Sequence, residues 1–133
     1  MANFAELNDQ NVVIRCVVIS NDDILDENGI EQEQLGIDLC NLHIGQGNWT
    51  QTSYNNNFRR VFAQEGFVYE PLADVFYNPV GPFPSWVLDE NYNWQPPTPM
   101  PDDVEGSYWV WNEETLSWDS VEGEQPRPDV GDE

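Results

Sequence analysis

Residues 107–121 read SYWVWNEETLSWDSV, and three tryptophans fall within ten positions of a chain that contains no lysine. Two aromatic-rich stretches flank a polar NEET, the pattern of two short strands about a turn. A turn at Asn112–Thr115 sets Trp111 opposite Leu116 and Trp109 opposite Trp118. Side chains alternate along a strand, so the tryptophans share one face and Val110 points to the other. A two-stranded ribbon is marginal alone in water. Its aromatic face therefore needs a cover: neighbouring hairpins, the rest of the chain, or another molecule.

Upstream, the same pattern repeats. The segments FVYEPLADVFYNP (67–79), SWVLDENYNWQPP (85–97) and YWVWNEETLSWDS (108–120) each carry an aromatic, a valine and a large apolar residue: Phe67-Val68-Tyr69, Trp86-Val87-Leu88 and Trp109-Val110-Trp111. An acid or amide follows (Glu70, Asp89, Asn112), then a polar or proline-containing turn, then a second aromatic (Phe76, Trp94, Trp118). In the middle copy a three-residue loop at Asp89–Asn91 sets Leu88 opposite Tyr92 and Trp86 opposite Trp94. In the first, a five-residue loop pairs Tyr69 with Val75 and Phe67 with Tyr77. Prolines at 71, 79, 82, 84, 96, 97, 99 and 101 divide the region into short segments.

Residues 3–19 read as a further hairpin: NFAEL, the turn NDQN, then VVIRCVVIS. A four-residue loop at Asn8–Asn11 sets Leu7 opposite Val12 and Ala5 opposite Ile14. Val12, Ile14, Cys16 and Val18 line one face, with Val13, Val17 and Ile19 on the other, so this strand is expected at the centre of a sheet. The acidic NDDILDENG fails as a calcium loop: with Gly29 at the invariant glycine, Ile24 and Leu35 occupy positions that require oxygen ligands. EQEQLGIDLCNLH (31–43) predicts one helix, with Leu35, Leu39 and Leu42 at helical spacing, Cys40 alongside, and Gly45 and Gly47 as terminators. Gly36 weakens that helix, and His43 is a C-terminal helix residue rather than a catalyst. NWTQTSYNNNFRRVF predicts strand, turn and strand about NNN. The expected fold is β-rich α+β: an N-terminal β-hairpin plus one helix, then a series of Pro-punctuated aromatic β-hairpins. Its parts are a small α+β core (1–65), the hairpin repeat (66–121) and a mobile acidic tail (122–133).

Charge narrows the partners. The 133 residues hold 25 acids against four arginines, a formal net charge of -21. Counterion-release binding to nucleic acid is excluded as a general mode, and anionic membranes repel such a surface. No apolar run of eighteen residues and no basic, apolar leader is visible. A basic protein surface or a divalent cation is the natural electrostatic partner. Arg59 and Arg60 read as partners for the chain's own acids or as a docking pair, and join Trp86, Trp94, Trp109, Trp111 and Trp118 as candidate interaction residues. Cys16 and Cys40 read as two buried free thiols, with a disulfide between them as the alternative. Catalytic combinations are unbuilt: one histidine, no lysine, two zinc ligands at most in CNLH, and no phosphate-binding glycine loop. Neither an enzyme nor a bound cofactor or metal is expected.

NFAELNDQNVVIRCVVI, NWTQTSYNNNFRRVFAQEGFVYEP, PFPSWVLDENYNWQPPTPMPDD and YWVWNEETLSWDSV, in this order over most of residues 1–121, resemble small acidic proteins encoded by marine tailed bacteriophages, cyanophages in particular. The resemblance implies a virion-associated structural protein, in capsid decoration or in the tail and its fibres, made in the host cytoplasm. Its partners would be other virion proteins and further copies of itself in the particle, and it brings no catalytic residues. RPDVGDE lies outside the resemblance. Two other readings stand beside it: an acidic module that mimics nucleic acid to block a basic host protein, and a carbohydrate-binding adsorption module that stacks sugars on tryptophan.

Overall fold

Phe4 and Ala5, adjacent on one strand, are both fully buried. Successive side chains point to opposite faces, so this strand is covered on both sides. The computed structural model describes residues 1–126. In it the strand β1 (Ala2–Leu7) is the middle of an antiparallel sheet ordered β2-β1-β3, with β2 at Val13–Ile19 and β3 at Asn48–Thr52. The more apolar β2, expected at the centre, is instead an outer strand with Ile14, Cys16 and Val18 exposed. The small Ala2 and Ala5 let covering layers approach β1 from both sides, which a strand of valines and isoleucines does not.

The β1–β2 register also differs from the expected one. Leu7 pairs with Val13 and Ala5 with Cys16, with a bulge after Glu6. The loop is longer because Asn8 organises it: its Oδ1 accepts the Gln10 and Val12 N–H groups at 2.8 and 3.0 Å. Asn11 closes the turn at φ 62°, a left-handed conformation that asparagine tolerates.

One face of the sheet carries α1 (Glu33–His43). Ala2, Phe4, Ile24, Cys40 and Trp49 form the core there, with Val17, Ile19, Leu35, Ile37 and Leu39 packed about it. The buried stripe of the helix is Gly36 and Cys40, while Leu42 is 75% exposed. The Phe4 ring lies on Gly36: a Cβ there would stand 2.0 Å from Phe4 Cζ. The glycine that weakens helix propensity is therefore required by packing.

The other face buries Ala5, Leu7, Val13, Ala63 and Phe76, flanked by Val61, Phe67 and Tyr69. Ala63 bridges the outer strands: its N–H donates to Thr52 Oγ1 at 2.8 Å, and its carbonyl accepts the Cys16 thiol at 3.3 Å. The second strand expected after NNN does not form. Asn56, Arg59 and Arg60 have φ of 59°, 52° and 70°, which breaks an extended run. Side chains hold this bent segment, Phe62 N–H donating to Asn56 Oδ1 and Asn57 N–H to Ser53 Oγ. Both cysteines are free; Cys40 is buried and Cys16 is an exposed residue, against the expectation of two buried thiols. Partial burial still pushes the Cys16 thiol pKa up.

The hairpin β4 (Val68–Glu70) with β5 (Val75–Tyr77) contributes Phe76 and Tyr69 to this second layer. The first aromatic copy thus belongs with the N-terminal core. The chain divides into units at Met1–Pro79 and from Val80 onward, whereas the sequence reading set a boundary at residue 65. The second unit holds two hairpins, β6 (Val87–Leu88) with β7 (Trp94–Gln95) and β8 (Ser107–Asn112) with β9 (Ser117–Glu122). Among the described residues the fold is β-rich, with one α-helix and several small antiparallel sheets. Of the expected tail, Glu122 ends β9, and residues 127–133 lie outside the described residues.

All three aromatic hairpins differ from their expected registers for one reason. Tyr69 pairs with Phe76, Leu88 with Trp94 and Trp111 with Trp118. Each loop carries a left-handed residue at its last or next-to-last position, Asp74, Tyr92 or Leu116, at φ 56°, 64° and 53°. That residue, or the one after it, is thereby taken out of the ladder. One loop is built twice from a shared LDEN followed four residues later by Gln. Leu25–Gln32 reads LDENGIEQ and Leu88–Gln95 reads LDENYNWQ. In both, the aspartate Oδ1 accepts N–H groups two and four residues on, and its Oδ2 accepts the glutamine amide.

Candidate functional site: an arginine clasp and a tryptophan cluster

Arg59 occupies the first unit's main charge centre. Its guanidinium pairs with Glu33 in the first turn of α1 and with Asp74, the latter at 2.8 Å, and donates to the Gln51 carbonyl at 2.8 Å. Glu33 in turn accepts the Gln51 N–H at 2.7 Å. The clasp thus satisfies both backbone groups of Gln51 on β3 while joining α1 to the β4–β5 hairpin. Arg59 also lies 5.8 Å from the Tyr69 ring centroid, and the Tyr69 hydroxyl donates to Asp74. Partial burial opposes the guanidinium charge, but hydrogen bonds to Glu33 and Asp74 outweigh it and hold the Arg59 pKa above its ordinary value. Bonds from Tyr69 and Arg59 hold the Asp74 carboxyl below the usual range. Burial and the bond to Asp74 push the Tyr69 phenol up.

In the second unit the alternation along β8 sends Trp109 and Trp111 to one face, and the register puts Trp118 directly across from Trp111. The Trp111 and Trp118 rings lie 5.2 Å apart at 69°. Trp86 completes a triangle, 5.8 Å and 88° from Trp111 and 6.1 Å and 67° from Trp118. Edge-to-face geometry sets the positive ring edge against a negative ring face. Phe83 flanks Trp86 at 6.0 Å. Within residues 80–126, Trp111 is the one residue that is buried, at 7% exposure.

The indole N–H groups fix what surrounds the cluster. Trp111 donates to Glu113 Oε2 at 2.7 Å, Trp118 to the Thr98 carbonyl at 2.9 Å, and Trp109 to the Asp102 carbonyl at 3.2 Å. Thr98 Oγ1 donates to the Leu116 carbonyl at 2.8 Å. The segment PPTPMPD (96–102) is therefore strapped to the hairpin through its carbonyls. Its prolines have no N–H to leave unpaired there. Glu113 also accepts the Ser85 N–H and hydroxyl at 2.9 and 2.8 Å. The Trp111 indole, aided by Ser85, holds the Glu113 carboxyl below its ordinary range. The buried Trp86 indole N–H has no hydrogen-bond acceptor among the described residues.

Trp86, Trp111 and Trp118 are thus brought together, and Trp109 shares their strand face while clasping the strap. Trp94 sits against Gly81, where an added Cβ would lie 2.8 Å from its ring. With Trp86, Trp118, Gln95, Pro96 and Pro99 it lines a groove of about 380 Å³. Arg59 serves the chain's own acids, and Arg60 adopts a left-handed, half-buried position beside it. Sequence reasoning did not single out Glu113, Asp74, Thr98 or Asp102. For the last two the signal was a proline-rich run, poor in donors and rich in carbonyls, beside tryptophans that must satisfy their N–H groups.

Among the described residues, no group of three or more His, Cys, Asp or Glu is placed to hold a metal ion. No helix among them is long and apolar enough to cross a membrane. No protein-family model matches the chain, and none of the curated proteins or solved structures compared with it is similar.

Proposed function

We propose that this protein is a structural component of a tailed-phage virion, decorating the capsid or attached to the tail and its fibres, and that it docks through Pro-punctuated aromatic β-hairpins. The observation that carries this reading is the thin core of the second unit. Between residues 80 and 126 only Trp111 is buried, and the other tryptophans are half-exposed. Half-exposed, pre-ordered aromatic rings are what a docking surface presents. A net charge of -21 keeps the free protein soluble before assembly. The resemblance to marine phage proteins points the same way. In this reading the protein performs no catalysis and needs no cofactor, and its partners are other virion proteins and copies of itself.

Quantitative mass spectrometry of purified particles against infected lysate tests the proposal. The protein should co-purify with particles at a fixed copy number. Its presence in lysate alone would reject the virion role and favour the acidic mimic. The groove between Trp86, Trp94 and Trp118 supports a second reading, a carbohydrate-binding adsorption module, because planar rings stack on sugar faces. Retention on immobilised host glycans, lost in Trp94→Ala, would support it.

A further inference from the structure

One recognition chemistry occurs twice in the first unit. Arg15 pairs with Glu6 and lies 5.4 Å from the Trp49 ring centroid. Arg59 pairs with Asp74 and lies 5.8 Å from that of Tyr69. Each site joins a carboxylate to an aromatic ring, and each holds a guanidinium. The second unit contains a groove of about 670 Å³ with the same ingredients: Tyr108, Trp109 and Trp118 with Asp103, Glu105 and Glu124. No arginine lines it among the described residues.

We infer that this groove binds an arginine side chain carried on a basic segment of a partner protein. The rings are set in advance, since the Trp109 and Trp118 N–H edges are held by the Asp102 and Thr98 carbonyls. A guanidinium both stacks on a ring and forks to a carboxylate, which a compact ammonium does less well. A divalent ion fits worse, because aromatic rings offer it no oxygen ligands. The chain's charge of -21 steers a cationic segment toward it. The inference rests on the docking reading of this unit and names the partner's chemistry.

The test uses the full chain and the peptide acetyl-Gly-Arg-Gly-Arg-Gly-amide, followed by the tryptophan indole N–H resonances. A matched peptide with citrulline for arginine removes only the charge. The arginine peptide should move the Trp109 and Trp118 resonances saturably, and the citrulline peptide should not. The exposed pair Asp103→Asn with Glu105→Gln should weaken binding about tenfold, the effect of losing roughly 1.4 kcal/mol. Glu124→Gln should weaken it less. Asp22→Asn with Asp23→Asn, an equal charge change in the first unit, should leave the affinity within about twofold. Equal weakening by that control, resonances moving elsewhere, or no saturable shift would overturn the inference. So would a shift of these indoles in Arg127→Gln without peptide, since the chain's own arginine would then fill the groove. Failure of peptide binding by a protein still found in purified particles removes this inference alone. Absence from particles removes the virion reading and leaves the peptide result standing.

Discussion

Trp111 stands directly opposite Trp118 across β8 and β9, with ring centroids 5.2 Å apart and planes at 69°. This pair, closed by Trp86, is the nearest thing the second unit has to a core. Trp111→Ala should therefore destabilise that unit by about 3–5 kcal/mol, the cost of removing a buried large aromatic. Urea unfolding followed by near-UV circular dichroism measures it. A midpoint unchanged from wild type would show that the ring packs too loosely to matter.

Gly36→Ala should destabilise the first unit by about 1–3 kcal/mol, although alanine is the better helix former. The added Cβ would lie 2.0 Å from Phe4 Cζ, so the strain depends on that ring. In Phe4→Leu the same substitution should cost less, and a thermal double-mutant cycle measures the coupling. Stabilisation by Gly36→Ala in the wild-type background would contradict the packing.

These two sites show how much the sequence discloses. Leucine spacing and the terminal glycines make α1 legible, and two-residue alternation places Trp109, Trp111 and Trp118 on one face. Register was hidden, because Asp74, Tyr92 and Leu116 adopt left-handed conformations within the hairpin loops. Nothing in the residue type of a tyrosine or a leucine announces that. The centre of the sheet was hidden because apolar content favours β2, whereas small residues decide where two layers close on β1. The clasp at Arg59 was half legible: charge scarcity marks the residue, but its partners Glu33 and Asp74 lie 26 and 15 positions away.

The Asp74 carboxyl is held below the usual range by Tyr69 and Arg59. A carboxylate whose folded pKa is depressed contributes stability above its unfolded value, near pH 4, and loses it as pH falls through the folded value. The stability difference between wild type and Asp74→Asn should thus be largest above about pH 5 and shrink toward about pH 2. Comparing the two proteins removes the general relief of repulsion on acidification. A difference independent of pH would contradict the assignment.

Arg59→Gln should cost about 2 kcal/mol, less than breaking a fully buried pair because Asp74 and Glu33 remain partly hydrated. Arg59→Lys should recover little of it, since an ammonium cannot reach Glu33, Asp74 and the Gln51 carbonyl together. Thermal melting of the three proteins checks the order. Full recovery by lysine would reduce the clasp to a simple charge.

Trp109 shares the tryptophan face, clasps the strap at Asp102 and lines the second unit's larger groove. The most direct measurement is the copy number of Trp109→Ala in purified particles relative to wild type, with the melting midpoint of the same variant. The account predicts a melting change smaller than that of Trp111→Ala together with a severalfold loss from particles. Normal incorporation of a folded Trp109→Ala protein would contradict docking through this face.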